Sequence, residues 1–246
     1  MATDYKIDGV SLDDAGGRWQ VGAEIYQPTE TISVSRNGAD VRVPTTPFVL
    51  FQTYTVKDVV AFRNWLDSIP WGATLSRPMG GQTRLESPVA VEHVGDPFQV
   101  GAGAYNVHVE WRGLTGVWRE ANPRQIVLRS LTAWDAQAVF PVDGIRLSVL
   151  NPLVRVKITC GVSGSWIMWE GAVNGAVPHL LIDTGMLRAR RGREWFPHTG
   201  DDVSDGLTVC PDGFTLCPGK DGKFSLTIDG VQPTDNPHKV EMRAAY

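Results

Sequence analysis

Apolar and polar positions alternate with a period of two along most of the chain, and a helical period appears once. In residues 31–44, Ile32 and Val34 alternate on one arm and Val41 and Val43 on the other, with Asn37-Gly38 between them. Asn-Gly supplies the positive φ angles of a tight turn, so this segment is predicted to be a hairpin. Residues 5–12 alternate weakly, with a bend at Gly9, and 19–25 read as a second strand after a turn at 13–17. Phe48, Val49, Leu50 and Phe51 form a continuous apolar run, the pattern of a strand buried on both faces. The helix follows. Thr55 is its expected N-cap, with Asp58 three residues on, and Pro70 its stop. Its stripe is Val56, Val59, Val60, Phe62, Trp65 and Leu66, interrupted by Arg63; Phe62 and Trp65 are expected to pack against a sheet.

Residues 80–105 read as further strands, turned at Gly80-Gly81 and Gly101-Ala102-Gly103. In 107–123, Val107, Val109 and Trp111 alternate with His108, Glu110 and Arg112, the pattern of a half-buried strand. Gly113 and Gly116 then break the alternation, and Trp118, Arg119 and Glu120 lead to the turn signal Asn122-Pro123. This stretch is read as the last strand of one domain and the hinge into a second, giving domains 1–122 and 123–246. The second half carries strand signals alone, at 126–131, 145–150, 154–159, 165–169, 180–183, 187–190, 214–216, 224–228 and 240–245. Short strands with Gly or Pro turns predict a β-sandwich. Leu226 and Ile228 alternate with Ser225 and Thr227, so that strand has one wet face. The fold class is therefore mainly β, with one helix in the first domain.

A length of 246 residues suffices for two cores, and 26 Gly and 16 Pro suit short strands joined by tight turns. No apolar run approaches the ~20 residues of a membrane span. Residues 1–6 lack signal-peptide character, so synthesis and folding in a cytosol are expected. Cys160, Cys210 and Cys217 form no CxxC pair and are expected to be reduced thiols. The net charge of −4 is uneven: residues 1–122 hold 10 Lys and Arg against 14 Asp and Glu, and residues 123–246 hold 13 of each. An acidic first domain repels nucleic acid phosphates, which disfavours DNA binding but suits a wall that DNA slides past.

Several motifs in order resemble the distal tail proteins, or minor tail proteins, of long-tailed phages with non-contractile tails. They are Ile7-Asp8-Gly9-Val10-Ser11-Leu12, the Arg-Asn-Gly hairpin of residues 34–41, the single helix after an apolar strand, and Trp118-Arg119-Glu120. In the second half come Gly164-Ser165-Trp166 with Trp169-Glu170-Gly171-Ala172-Val173, then Leu181-Ile182-Asp183-Thr184 and Leu216-Cys217-Pro218-Gly219. Each motif alone is weak, and the ordered set covers nearly the whole chain. The resemblance implies a ring-forming first domain with a β-sandwich, a helix and a long hairpin, and an outer galectin-like β-sandwich. It implies a structural virion protein at the phage tail tip, assembled in the host bacterial cytoplasm, with no membrane association. Six copies would close into a hub joining the tail tube protein to tip proteins, with DNA passing through the lumen. A repeated heterologous interface closes such a ring. The rival readings are a carbohydrate- or receptor-binding tail component using the second domain and, more weakly, a hydrolytic tail enzyme.

No catalytic, metal or cofactor site is expected. Gly161-Val162-Ser163-Gly164-Ser165 departs from the nucleophile elbow at its last position and no helix follows, so it reads as a turn. Gly101-x-Gly103 precedes a strand rather than a helix and is no dinucleotide fingerprint. His179 and Asp183 share a strand face, and two ligands do not make a metal site. Asp201, Asp202 and Asp205 near His198 are read as a solvated loop, ahead of a hard-cation site. Arg188, Arg190, Arg191 and Arg193 form the one basic cluster. It reads as a solvated strand edge or as a docking patch for an acidic neighbour. Trp195-Phe196 is the candidate aromatic contact for a partner or a carbohydrate. The galectin sugar-binding pattern of His-x-Asn-x-Arg and Trp-x-x-Glu-x-Arg is absent, so a sandwich fold would not by itself bring that activity.

Overall fold

Glycine and proline cut the β-prone sequence into short runs, and among the described residues these form many antiparallel strands and one α-helix. The computed structural model describes residues 4–13, 18–36, 39–80, 83–128, 134–135, 138–142, 144–172, 175–197, 199–232 and 238–246. Two compact units emerge, residues 1–32 with 44–122, and residues 33–43 with 123–246.

The first unit opens with β1 (Lys6–Ile7) and β2 (Val10–Ser11), turned by Asp8 at φ 47° and Gly9 at φ 83°. Next come β3 (Trp19–Gln27), the hairpin β4 (Thr31–Arg36) and β5 (Ala39–Pro44), and β6 (Val49–Val56). Helix α1 (Val59–Asp67) follows, then β7 (Ala73–Gly80), β8 (Thr83–Val94), β9 (Phe98–Gly101), β10 (Ala104–Gly113) and β11 (Arg119–Glu120). One sheet runs β2-β1-β7-β8-β10-β6-β3, with β9 on β10 and β11 on β8. The predicted hairpin is present; its Asn37-Gly38 turn lies outside the described residues, and residues 33–43 group with the second unit.

The buried face of this sheet carries Leu50, Tyr54 and Val56 with Val107, Val109 and Trp111, and α1 covers it through Phe62 and Leu66. Trp65 stacks on Trp19 at 5.1 Å between ring centroids. Four local expectations are corrected. The N-cap is Asp58, whose carboxylate accepts from Ala61 N at 2.9 Å. Thr55 instead belongs to β6, paired with Asn106 and Gln20, so the ladder holds it out of the helix. The run at Phe48–Phe51 is not buried on both faces: Phe48 and Leu50 are buried while Val49 and Phe51 are half-exposed. Nor is β10 the last strand of its unit, because β11 returns to pair with β8. Trp118 is core rather than linker. It stacks on Phe48 at 4.7 Å, donates Nε1–H to Tyr26 Oη at 3.0 Å and lies 4.5 Å beneath the Arg77 guanidinium.

The second unit continues with β12 (Arg124–Leu128), β13 (Trp134–Asp135), β14 (Arg146–Leu150), β15 (Pro152–Cys160), β16 (Trp166–Glu170) and β17 (His179–Asp183). Then come β18 (Arg188–Gly192), β19 (Asp201–Asp202), β20 (Leu207–Val209), β21 (Lys223–Phe224), β22 (Leu226–Val231) and β23 (His238–Met242). They form two main antiparallel sheets, β12-β23-β14-β17-β18-β19 and β20-β16-β15-β22. Alternate residues of each are buried, among them Leu147, Val149, Leu180, Ile182 and Val240 of one and Val156, Ile158, Ile167 and Trp169 of the other. Two antiparallel sheets each burying alternate residues are the construction of a β-sandwich. Residues 214–216 are not a strand but make a single bridge from Leu216 to Val142.

Candidate partner-contact surface

Strand register decides what the arginine cluster can do. On one face of the six-stranded sheet, Glu241 lies opposite Arg146, Arg146 opposite Asp183, and Asp183 opposite Arg188. Charges therefore alternate along a row that crosses four strands. The Arg146 guanidinium reaches Glu241 at 2.5 Å and Asp183 at 3.7 Å, all three side chains being largely covered. The next row runs Lys239, Ser148, Leu181, Arg190 and Asp202. The Asp202 carboxyl lies below the ordinary carboxylate range, held down first by hydrogen bonds from Ser204 and then by the charges of Arg190 and Arg188. A cleft of about 300 Å³ opens on this face beside Arg146, Met186, Arg188 and Arg190.

Alternation along β18 sends Arg191 to the opposite face from Arg188 and Arg190. Arg191 is buried, and its guanidinium donates to the carbonyls of Ala172 at 2.6 Å and Val177 at 2.9 Å. It fastens the loop between β16 and β17 and is removed from the docking set. Neither is β18 an edge strand, since β19 flanks it. Arg188 and Arg193 are exposed, and Arg190 is half-buried.

The Trp195-Phe196 pair is also corrected, because it folds back over the sheet. Phe196, at φ 52°, is buried, its N–H donating to Ser148 Oγ at 3.2 Å. The half-buried Trp195 ring lies 4.4 Å from that of His179 and 4.7 Å beneath the Lys239 ammonium. This cover explains why β17 is buried on both faces. Trp169 is buried too, and Trp166 is half-buried under the Lys157 ammonium. None of these four aromatic residues is an exposed platform for a sugar ring.

Residues 161–163 form the expected turn, with Ser163 Oγ 2.8 Å from Ser165 Oγ. Asp201 and Asp202 pair with β18 rather than forming a loop, and His198 lies outside the described residues. Among the described residues, no three His, Cys, Asp or Glu side chains converge as metal ligands.

Two expected outcomes arise from this face. Arg146→Met leaves Asp183 on one side and Glu241 on the other without the cation between them, and should cost about 2 kcal/mol in urea unfolding. Adding Asp183→Asn and Glu241→Gln should recover part of it, and equal stability of Arg146→Met and the parent would refute the ladder. The second concerns pH. His238 Nδ1 accepts from the buried Leu150 N–H at 3.2 Å, and burial holds its pKa below the ordinary histidine value of 6.5. Burial, then the charge of Lys239, does the same for His179. The unfolded chain binds these protons first as pH falls. Stability from this source is thus full above pH 6.5 and is lost as pH drops through that value toward the folded-state pKa. Thermal melts should show a Tm level above pH 7 and falling between pH 6.5 and 5, with a shallower fall in His238→Gln. Superimposable profiles of variant and parent would reject this origin.

In the first unit, among the described residues, the outer face of β3, β6 and β10 carries exposed and half-exposed side chains. Ile25, 65% exposed, meets Phe51, Thr53, His93 and His108 around a hollow of about 310 Å³. Phe98 stands 5.5 Å from the His108 ring at its border.

No protein-family profile matches the chain, and no curated protein matches it. Among solved structures it is similar to the SPP1 Dit (gp 19.1) protein, described as a paradigm of the hub adsorption apparatus in Gram-positive infecting phages. Identity is 12%, the TM-score is 0.56, and the whole of both chains is covered. Chains of the phage P2 baseplate in its activated conformation with Ca give 11% identity and a TM-score of 0.43, covering 99% of this chain and 98% of theirs. Those of the form with Sr give 12% and 0.40, covering 97% of each chain. Over its full length, then, this chain has the fold of the SPP1 Dit protein.

Proposed function

We propose that the protein is a structural, non-catalytic subunit of a phage tail tip, a distal tail hub located in the virion and assembled in the host cytoplasm. The observation that carries this reading is the likeness to SPP1 Dit across both units, rather than across one common sandwich. Residues 1–122 form the ring-building domain and residues 123–246 an outer, galectin-like sandwich. Six copies close into a ring between the tail tube protein and tip proteins, and DNA passes through the centre unbound. Two features of the first unit support this. Its sheet leaves Ile25 exposed and Phe51 half-exposed on one face, which a second copy would bury. Its excess of acidic residues suits a lumen that must not hold phosphates.

Native mass and negative-stain imaging of the full chain test the ring. The expected particle is close to six times 26.9 kDa, with a central pore. A monomer at every concentration, alone and mixed with tail tube protein, would overturn it. Arg188 and Arg193 are the exposed remainder of the basic cluster and meet an acidic neighbouring tail protein. Arg188→Glu with Arg193→Glu should cut incorporation into particles about tenfold while leaving Tm within a degree, because rim charges act on association more than on folding. Full incorporation would dismiss the patch.

A further inference from the structure

Cys160 ends β15 directly beneath the turn at 161–163, and Cys217 lies on the neighbouring segment that bridges Leu216 to Val142. Both are buried. Two backbone donors point at Cys160 Sγ, the Cys217 N–H at 3.4 Å and the Ser163 N–H at 3.5 Å, and the Cys217 carbonyl lies 3.9 Å from the same sulfur. A sulfur that accepts from two backbone N–H groups is disposed to be a thiolate, and the thiolate is the reactive form. The hydrogen bond from the Cys217 thiol, with those from Ser163 and the Cys217 backbone, holds the Cys160 pKa down to about 5 against the opposing effect of burial. Cys210 stands apart, half-exposed, its Sγ near the Gly213 carbonyl at 3.0 Å and the Trp166 N–H at 3.4 Å.

We propose that Cys160 and Cys217 are a peroxide-sensitive thiol pair that closes to a disulfide, with Cys160 as the attacking sulfur and Cys217 as the resolving one. The two residues are 57 apart in sequence, so closure would tie the β15–β16 turn to the Leu216 bridge. The oxidant is hydrogen peroxide, and the turn over Cys160 carries the exposed glycines 161 and 164. The Cys160 thiolate attacks one peroxide oxygen, the O–O bond breaks, and hydroxide leaves, taking a proton to become water. The product is a sulfenic acid on Cys160. The Cys217 sulfur then attacks the Cys160 sulfur, the S–O bond breaks, and hydroxide leaves with the Cys217 proton as a second water. Two thiols are oxidised to one disulfide, and one peroxide is reduced to two waters.

The test treats the full chain with hydrogen peroxide, then denatures it, counts thiols and maps peptides. Thiols should fall from three to one, with Cys210 the survivor and a Cys160–Cys217 cross-linked peptide recovered. Closing a loop of this length should raise Tm by about 10 °C, reversed by dithiothreitol. In Cys217→Ser the cross-link should vanish and dimedone should label Cys160, while Cys210→Ser should behave as the parent. Three persisting thiols, a cross-link through Cys210, or dimedone labelling of Cys210 in preference to Cys160 would each overturn the assignment. Because the parent chain carries the decisive readout, a Cys217→Ser protein that fails to fold leaves the test intact.

Discussion

Trp169→Ala should destabilise the second unit by about 4 kcal/mol, lowering the urea midpoint by about 2 M at a slope of ~2 kcal/mol/M. The indole is almost wholly buried on β16, and its Nε1–H donates to the Val203 carbonyl at 3.0 Å, joining the four-stranded sheet to the segment after β19. Removing it opens a cavity and loses this hydrogen bond as well, leaving the Val203 carbonyl with the Gly206 N–H at 3.3 Å. The surrounding backbone is built for this ring. A Cβ at Gly171 would come within 2.4 Å of indole Cζ2, and one at Gly206 within 3.0 Å of Nε1 and 2.1 Å of the Glu170 carbonyl. The two glycines are spaces the indole occupies, and the close main-chain approach at Gly206 limits collapse. Trp169→Phe should therefore still cost more than 1 kcal/mol, since the smaller ring leaves part of that space empty. A midpoint shift below 0.5 M for the alanine variant would show that the site can close.

Gly113→Ala should cost about 2–3 kcal/mol for the opposite reason, overpacking. A Cβ there would sit 2.4 Å from the Phe48 ring. That ring cannot swing aside, because Trp118 stacks on it at 4.7 Å and Tyr26 lies 5.8 Å away. Phe48→Leu loses packing by itself but makes room for the methyl group, so the double variant should be more stable than the sum of the single costs predicts by at least 1 kcal/mol. Additive costs in denaturant melts would mean that the methyl group is accommodated by backbone movement.

What the sequence reveals and what it hides divide along a physical line. The hairpin of β4 and β5 is legible because Asn37-Gly38 and the flanking valines act locally, and α1 because its stripe, cap chemistry and Pro70 agree. The cap itself is misread: Thr55 and Asp58 both suit the position, and only the pairing of Thr55 with Asn106, 51 residues away, decides between them. Strand β7 goes unread because Pro78 argues against a strand. It is tolerated where β1, only two residues long, no longer pairs and where the register with β8 shifts. The arginine cluster misleads for a related reason. Its sequence is a block of like charge, yet in the sheet Arg188 and Arg190 lie opposite Asp183 and Asp202, and Arg191 serves two loop carbonyls. Phe196 looks exposed because Arg193 and Glu194 precede it, yet it is buried beside Ser148, 48 residues earlier, whose Oγ accepts its N–H. In each case the missing information is a partner distant in sequence.

Strand β23 lies between β12 and β14, so the second position of the six-stranded sheet is filled by residues 238–242. During translation β12 and β14 emerge more than ninety residues before the strand that separates them. Until then their facing edges are open, and each is competent to capture a stray strand from another nascent chain. The second unit can close only once residue 242 has cleared the ribosome. Nonlocal pairing of this kind makes folding slow. High yield should therefore depend on slow, cool expression, and chains cut short of β23 should aggregate rather than accumulate as a smaller sandwich.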